Sequence, residues 1–233
     1  MKNIIYTMIL VLTIQFGYSI GGIGLYAVRD FGTIDGVSES VNFGDADITN
    51  NFIRKEGTSP IGFGGYFYLD IIPVVDVEIG GDVVFSTYDF EYSYETTTGT
   101  LTSESVVGTL VWAKTSYFIS IQKPFVEIPM LTLYGGAGYK NAMSTPIMSP
   151  GFLSSLMSNG DDIGQINDEE SLDQTIEDQI KNQAGLMIEA GLRFKPKFFP
   201  FSMNVKLQQN FIQDVVPGKN SYMTVLVGLG FAL

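Results

Sequence analysis

The side chains that could do chemistry in this chain are carboxylates and a few cations, because the sequence contains neither cysteine nor histidine. Thiol nucleophiles, Ser-His-Asp triads, structural zinc sites and disulfide frameworks are therefore excluded. Several charged residues alternate with apolar neighbours, so that they would share one side of a pleated strand. This polar set comprises Asp76, Glu78, Asp82, Glu189, Lys140, Arg193 and Lys206, with Lys114 joining it if that side chain also points inward.

Such a polar set could form three kinds of site. Two carboxylates can perform acid/base hydrolysis, a ring of charges can line a narrow pore, and acids facing cations can form a compensated network. Unpaired ions in a narrow interior are prohibitively costly. Because four acids face four cations when Lys114 is included, we expect a structural plug. We expect no enzymatic activity and no cofactor, and a narrow pore is the alternative.

The elements that would position this set are strands with alternating faces. In one of them Phe201, Met203 and Val205 alternate with Ser202 and Asn204, which is the two-residue period of a strand with one apolar face. In the segment 105–121 Trp112 and Lys114 share a face, and we suspect a bulge or a shifted register there. The alternation and turn signals predict eight strands, at 20–31, 60–70, 74–90, 105–121, 128–142, 183–195, 200–212 and 220–233.

The first residues have the pattern of an export signal. Lys2 precedes an apolar run from position 4 to position 16, and small residues follow up to Ser19. The run is too short for a helix that spans a bilayer, which needs roughly 20 residues. We therefore predict a signal peptide at 1–19 and one mature domain at 20–233, with an N-terminal anchor or a buried first strand as the alternative.

The connections alternate between long and short, as in a membrane barrel with extracellular loops and periplasmic turns. The long ones span 32–59, 86–104 and 143–182, and tight turns are predicted at 71–73, 122–127 and 196–199. The long loops contain 17 of the 25 acidic residues of a chain whose net charge is -12. Aromatic residues would form girdles at both interfaces, Phe125, Phe198, Phe199 and Phe201 at the short turns and Tyr88, Phe90, Tyr92 and Tyr94 at the long loops.

The end of the chain carries a family resemblance. The last strand presents six successive apolar outward residues, among them Leu229, Phe231 and Leu233. This resembles the C-terminal assembly signal of outer-membrane β-barrel proteins, although their final residue is usually aromatic. The strand pattern over the mature chain resembles the small eight-stranded barrels of the OmpA/OmpX/OmpW type. The resemblance implies an all-β, eight-stranded, antiparallel up-and-down transmembrane barrel in the bacterial outer membrane.

The third long loop contains one local motif. The segment 159–170 resembles an EF-hand loop, but position 1 is an asparagine and position 5 is Ile163, which does not ligate Ca²⁺. We therefore expect a solvated acidic loop and no metal site, and a short surface helix is predicted at 168–183. The Ca²⁺ candidates of this motif are Asn159, Asp161, Asn167 and Glu170.

These observations predict a structural or surface-interaction protein with a filled lumen and acidic extracellular loops. The alternatives are a small channel or carrier for hydrophobic or small solutes, a lipid-modifying barrel enzyme, and a secreted soluble β-protein. We expect outer-membrane lipids and, through the C-terminal strand, the barrel-assembly machinery as partners, and a monomeric state. Nucleic acid is not expected as a partner, because 13 lysines and arginines oppose 25 acids.

Overall fold

The computed structural model describes residues 21–41, 48–72, 75–96, 105–152, 176–196 and 199–232. The predicted signal peptide and the Ca²⁺ candidates Asn159, Asp161, Asn167 and Glu170 lie outside these residues, as does Leu233. The strands are β1 Gly21–Asp30, β2 Val37–Val41, β3 Ile48–Arg54, β4 Ile61–Ile72, β5 Val75–Thr96, β6 Ser105–Ile128, β7 Leu131–Ser144, β8 Lys181–Phe194, β9 Phe201–Phe211 and β10 Tyr222–Ala232.

Eight of these strands form a closed antiparallel ring. Its order is β1–β4–β5–β6–β7–β8–β9–β10, and β10 returns to β1 with Gly22 opposite Ala232 and Asp30 opposite Thr224. Every strand of the ring has two hydrogen-bonded neighbours, so the ring itself has no open edge over its shared height. The predicted eight-stranded up-and-down barrel is confirmed.

The strand alternation places apolar side chains outside the ring and polar side chains inside it. In β9 the outward residues Phe201, Met203, Val205 and Leu207 are 39–49% exposed, whereas the inward residues Ser202, Asn204, Lys206 and Gln208 are at most 1% exposed. A water-soluble barrel has the opposite arrangement, because apolar surface is removed from water there. The exterior of this barrel is therefore suited to an apolar solvent.

The turn between β6 and β7 differs from its prediction. Residues 122–127, predicted as a turn, continue β6, and the connection is the two-residue turn Pro129–Met130. Pro124 lies inside the strand at a shift in register between Pro124 and Val126. A proline is tolerated at such a bulge because a bulged residue need not donate to the ladder.

The first long loop is more ordered than the sequence predicted. It carries the hairpin β2–β3, and β3 pairs with the end of β5 from Ile48 opposite Thr96 to Arg54 opposite Phe90. The barrel pairing of β4 with β5 ends at Ile61 opposite Phe85, so β5 extends beyond the barrel at this end. We call β2, β3 and the ends of β5 and β6 beyond the barrel the upper sheet.

The suspected irregularity in the fourth predicted strand is absent from its pairing with β5. The β5–β6 register runs without a shift from Asp76 opposite Gln122 to Ser93 opposite Ser105. Trp112 and Lys114 are fully buried inside the barrel. Trp112 and Lys114 therefore both lie on the inward face of β6.

Two further predictions at the long-loop end need correction. Tyr88 and Tyr92 are buried and are not part of an outer aromatic girdle. The third loop has helical residues at 176–179, but β8 begins at Lys181, so the predicted helix 168–183 ends earlier than expected. Within the described parts of the chain, none of the helical stretches has the length and apolarity needed to cross a membrane.

Candidate functional site: the filled lumen and its seal

The lumen near the short turns is occupied by an arginine. Arg193 on β8 donates to Asp76 Oδ2 at 2.8 Å and to Gln122 Oε1 at 2.9 Å. Its guanidinium also lies 4.6 Å from the ring centre of Tyr68 and 5.1 Å from that of Tyr134. Cation–π contacts strengthen when the cation is desolvated, so these rings help to hold the charge at this level.

The middle of the lumen is a hydrogen-bonded network centred on Gln122. Its Nε2 donates to Glu78 Oε2 and to Glu189 Oε1, each at 2.9 Å. Lys206 Nζ forms an ion pair with Glu78 and lies 3.6 Å from Glu189 Oε2. Glu78 also accepts from the Tyr26 hydroxyl. Lys206 thus interacts with two carboxylates, and hydrogen bonds of Gln122 connect the same two carboxylates to Arg193.

Two further ion pairs fill the levels nearer the long loops. Lys140 Nζ lies 3.1 Å from Asp82 Oδ2, and Lys114 pairs with Asp30. Thr224 donates to the second oxygen of Asp30 at 2.6 Å. All four charged side chains are fully buried. The two members of such a pair depend on each other, because a single buried ion has no compensation for its lost hydration.

Bulky side chains occupy the space between these pairs. Trp112, Tyr26, Tyr134 and Phe118 are among the largest fully buried residues. Phe118 packs against Gly80, where a Cβ would lie 2.8 Å from its ring atom Cε1. The glycine therefore makes room for the ring inside a barrel whose eight strands leave an interior just wide enough for side chains.

The structure places the predicted polar set inside the barrel, together with one further acid. The predicted residues that point into the lumen, each of them a member of an ion pair, are Asp76, Glu78, Asp82, Glu189, Lys140, Arg193 and Lys206, and Lys114 joins them there. The further acid is Asp30, so the ion pairs of the lumen join five acids to four cations. The signal was available, because Tyr26, Val28 and Asp30 share one parity on β1.

An apolar cluster closes the lumen at the long-loop end. Ile34, Ile212, Val215 and Val216 are at most 1% exposed and belong to one buried cluster with Trp112. Ile147 and Met148 pack against it. We call this cluster the outer seal, and its members come from the β1–β2 connection, the segment after β7 and the end of β9 with the following loop: Ile34, Ile147, Met148, Ile212, Val215 and Val216.

Residues 145–149, here called the strap, cross the outer seal. Both backbone groups of Met148 form hydrogen bonds that hold the strap in this position. The Met148 amide donates to the Tyr88 hydroxyl at 2.8 Å, and Arg54 Nη1 donates to the Met148 carbonyl at 2.8 Å. Arg54 also donates twice to the Asp35 carbonyl, at 3.1 and 3.2 Å. Burial lowers the pKa of the Arg54 guanidinium from its ordinary value. One arginine thus ties the strap to the β1–β2 connection.

The remaining predicted site residues are placed as follows. Leu229 and Phe231 point out of the barrel and are 63% and 61% exposed, which matches the outward face expected of the C-terminal strand. Within the residues that the structure describes, no group of three or more carboxylates is arranged to hold a metal ion.

The decisive geometry is a closed ring of eight antiparallel strands with an apolar outside and paired charges inside. The chain has the fold of a small outer-membrane barrel. No family model and no curated protein matches its sequence.

Solved structures of outer-membrane proteins resemble the chain at low identity. They include Ail of Yersinia pestis in complex with the heparin analogue sucrose octasulfate, with 10% identity, a TM-score of 0.46 and coverage of 91% of this chain and 96% of Ail. OprG from Pseudomonas aeruginosa has 12% identity and a TM-score of 0.46, with 92% and 97% covered. Neisserial surface protein A has 12% identity and a TM-score of 0.40, with 92% and 98% covered.

Proposed function

We propose that the protein is a closed barrel of the bacterial outer membrane that acts as a structural or surface-interaction protein. It anchors the upper sheet and the acidic loops at the outer surface and does not transport solutes. The observation that supports this function most directly is the lumen, which is filled by paired charges and covered by the outer seal.

The exterior supports insertion in a membrane. Strands such as β9 and β10, with 11 residues each, have the length of a tilted transmembrane strand, which needs about 9–11 residues. Each of the eight ring strands presents exposed apolar side chains on its outward face. A soluble protein rarely leaves such a continuous apolar surface in water.

The proposed orientation follows from the connections. Short turns face the periplasm and long loops face the outside in outer-membrane barrels. Export would use the predicted signal peptide at 1–19, and insertion would use the barrel-assembly machinery through Leu229, Phe231 and Leu233. The proposed partners are lipids, and the proposed state is a monomer, since each ring strand already has both neighbours.

Planar-bilayer recording of the refolded protein tests the closed lumen. We expect no steady conductance from the wild-type chain. Arg193→Ala should lower the melting temperature, because Asp76 and Gln122 lose their partner. The matched control Lys123→Ala removes one positive charge from an exposed side chain on β6 and should leave the melting temperature unchanged.

The competing function is a small channel. A steady conductance of the wild-type chain would contradict the closed lumen. So would a rise in conductance in Arg193→Ala without any loss of stability, because the arginine would then be a pore residue and not part of a structural plug.

A further inference from the structure

One strand edge of the upper sheet is free above the barrel. The last contact of β6 with the segment after β7 is that of Ala113 with Thr145, after which the chain continues as the strap. Residues 105–112 of β6 still pair with β5, but in the described part of the chain no strand pairs with them on the other side. We call residues 105–112 the β6 edge.

The backbone groups of every second residue of the β6 edge point away from β5. The Ala113 carbonyl accepts from the Thr145 amide at 2.9 Å, and the Ala113 amide donates to Thr145 Oγ1 at 3.0 Å. Both backbone groups of Ala113 therefore face away from β5. In an antiparallel sheet this direction recurs at alternate residues, so Val107, Thr109 and Val111 each offer one N–H and one C=O to a further strand.

The β6 edge lacks the features that usually protect a free strand edge. Protected edges are short, charged, bulged or interrupted by proline. The β6 edge has eight residues without a charge or a proline, and its register with β5 has no shift. By contrast β2, at the opposite edge of the upper sheet, has five residues with Glu39 at its centre. An additional strand is therefore expected at β6 and not at β2.

The two faces of the β6 edge differ in their chemistry. On the outward face Glu91 lies opposite Val107 and Asp89 lies opposite Thr109, and neither acid belongs to an ion pair among the described residues. The other face is apolar, and Val106 on it is 58% exposed. A strand that fits this edge has cations on one face and apolar residues on the other.

A second copy of the chain in the same membrane does not fit the β6 edge. All copies insert in the same direction, so β6 runs from the long loops towards the short turns in each of them, and two such edges would meet in parallel. The more stable antiparallel pairing is then not available. Two chains with a net charge of -12 each also repel one another.

We propose that the β6 edge binds an extended segment of another protein as an additional antiparallel strand, in which lysine or arginine alternates with β-branched residues. The backbone hydrogen bonds give the affinity, and the alternating side chains give the specificity. The cations of the segment lie towards Asp89 and Glu91, and its β-branched side chains lie towards Val106. The inference rests on the proposed function, because the segment can reach this edge only if the upper sheet lies outside the cell.

Isothermal titration calorimetry of the full chain, folded in a zwitterionic phosphocholine detergent, tests the proposal. The probe is the acetylated and amidated peptide Val-Lys-Val-Lys-Val-Lys-Val, for which we expect saturable binding with a Kd below about 1 mM. Val107→Pro should weaken the binding about tenfold, because it removes one N–H of the edge. Its melting temperature should stay close to that of the wild type, since proline is tolerated at a strand edge. The matched control Ser38→Pro places a proline in β2 and should leave the Kd unchanged.

A charge variant tests the same edge without a change in the backbone. Glu91→Gln should weaken the binding about threefold, as expected for an exposed ion pair, whereas the control Glu39→Gln on β2 should not change the Kd. Three outcomes overturn the proposal: no saturable heat, a wild-type Kd in both Val107→Pro and Glu91→Gln, or equal affinity for the peptide Val-Glu-Val-Glu-Val-Glu-Val. Failure of the peptide to bind to a chain without conductance overturns the docking edge alone, whereas a steady conductance overturns the closed barrel.

Discussion

At the scale of single residues, the molecule depends on how Lys206 is shared. This lysine is fully buried and is the cation nearest to both Glu78 and Glu189 among the described ion pairs. The two carboxylates also share Gln122. Three acids and two cations therefore meet in the lower half of the lumen, where Asp76 and Arg193 complete the set.

Replacement of Lys206 by methionine should destabilise the barrel strongly. Lys206→Met keeps the length of the side chain but leaves Glu78 and Glu189 without their cation, and the loss of one partner of a buried pair costs about 3–5 kcal/mol. Urea unfolding of the protein in lipid vesicles measures this difference in the free energy of unfolding.

Lys219→Met is the matched control for that substitution. Lys219 pairs with Asp35 at 2.7 Å, but both side chains are partly exposed to solvent. Exposed ion pairs contribute less than about 1 kcal/mol, so this variant should unfold almost like the wild type. Equal losses in the two lysine variants would show that the buried network does not stabilise the barrel.

The inward direction of a lumen residue can be predicted from the sequence wherever apolar and polar residues alternate regularly along the strand. Glu189 and Arg193 alternate with Ile188 and Leu192, so their inward direction follows from the two-residue period. Asp30 lies within the predicted strand 20–31, but its neighbour Arg29 on the opposite face is also charged, so the alternation there does not show which side chain points inward. Which acid faces which cation depends on distances across the barrel, and a pattern along one strand does not contain them.

At the scale of elements, the turn between β6 and β7 stores local strain. Pro129 and Met130 form it, and Met130 has a φ of 81°. A positive φ at the second residue of such a turn is normally adopted by glycine or asparagine. In other L-residues this conformation brings Cβ too close to the following carbonyl oxygen. The turn is further fixed by Lys195, whose amide donates to the Met130 carbonyl at 2.8 Å.

Met130→Gly should therefore stabilise the barrel by about 1 kcal/mol, the relief of left-handed strain less the entropy of the added glycine. Urea unfolding in vesicles again provides the measurement. Met143→Gly makes the same change within β7 and should destabilise by about 0.5–1 kcal/mol, as glycine does inside a strand. The same sign for both variants would contradict the strained turn.

The elements that the sequence missed have mixed patterns. β2 reads Val-Ser-Glu-Ser-Val and β3 contains Thr-Asn-Asn, so neither presents one apolar face in the way that β9 does. Their order comes from pairing with the extension of β5, a tertiary contact that strand patterns do not reveal. Pro124 was assigned to a turn for a similar reason, since only the neighbouring strand shows that it lies at a bulge.

At the scale of the whole molecule, the barrel separates two solvents and fills its own centre. Apolar side chains cover its outside, and paired charges occupy its inside. A ring that leaves no strand edge and no empty lumen has two features of a stable membrane anchor. The outer seal closes the long-loop end of the same interior.

The outward face of the ring should contact lipid over the height of β9. The chain contains no cysteine. The variants Met203→Cys, Val205→Cys and Leu207→Cys therefore each carry a single thiol, to which a fluorescent label can be attached. In vesicles, we predict that brominated lipids quench these labels and that a water-soluble quencher reaches only labels on the loop residues Glu56 and Lys219. Efficient aqueous quenching at positions 203, 205 and 207 would show that this face of the ring is in water and not in lipid.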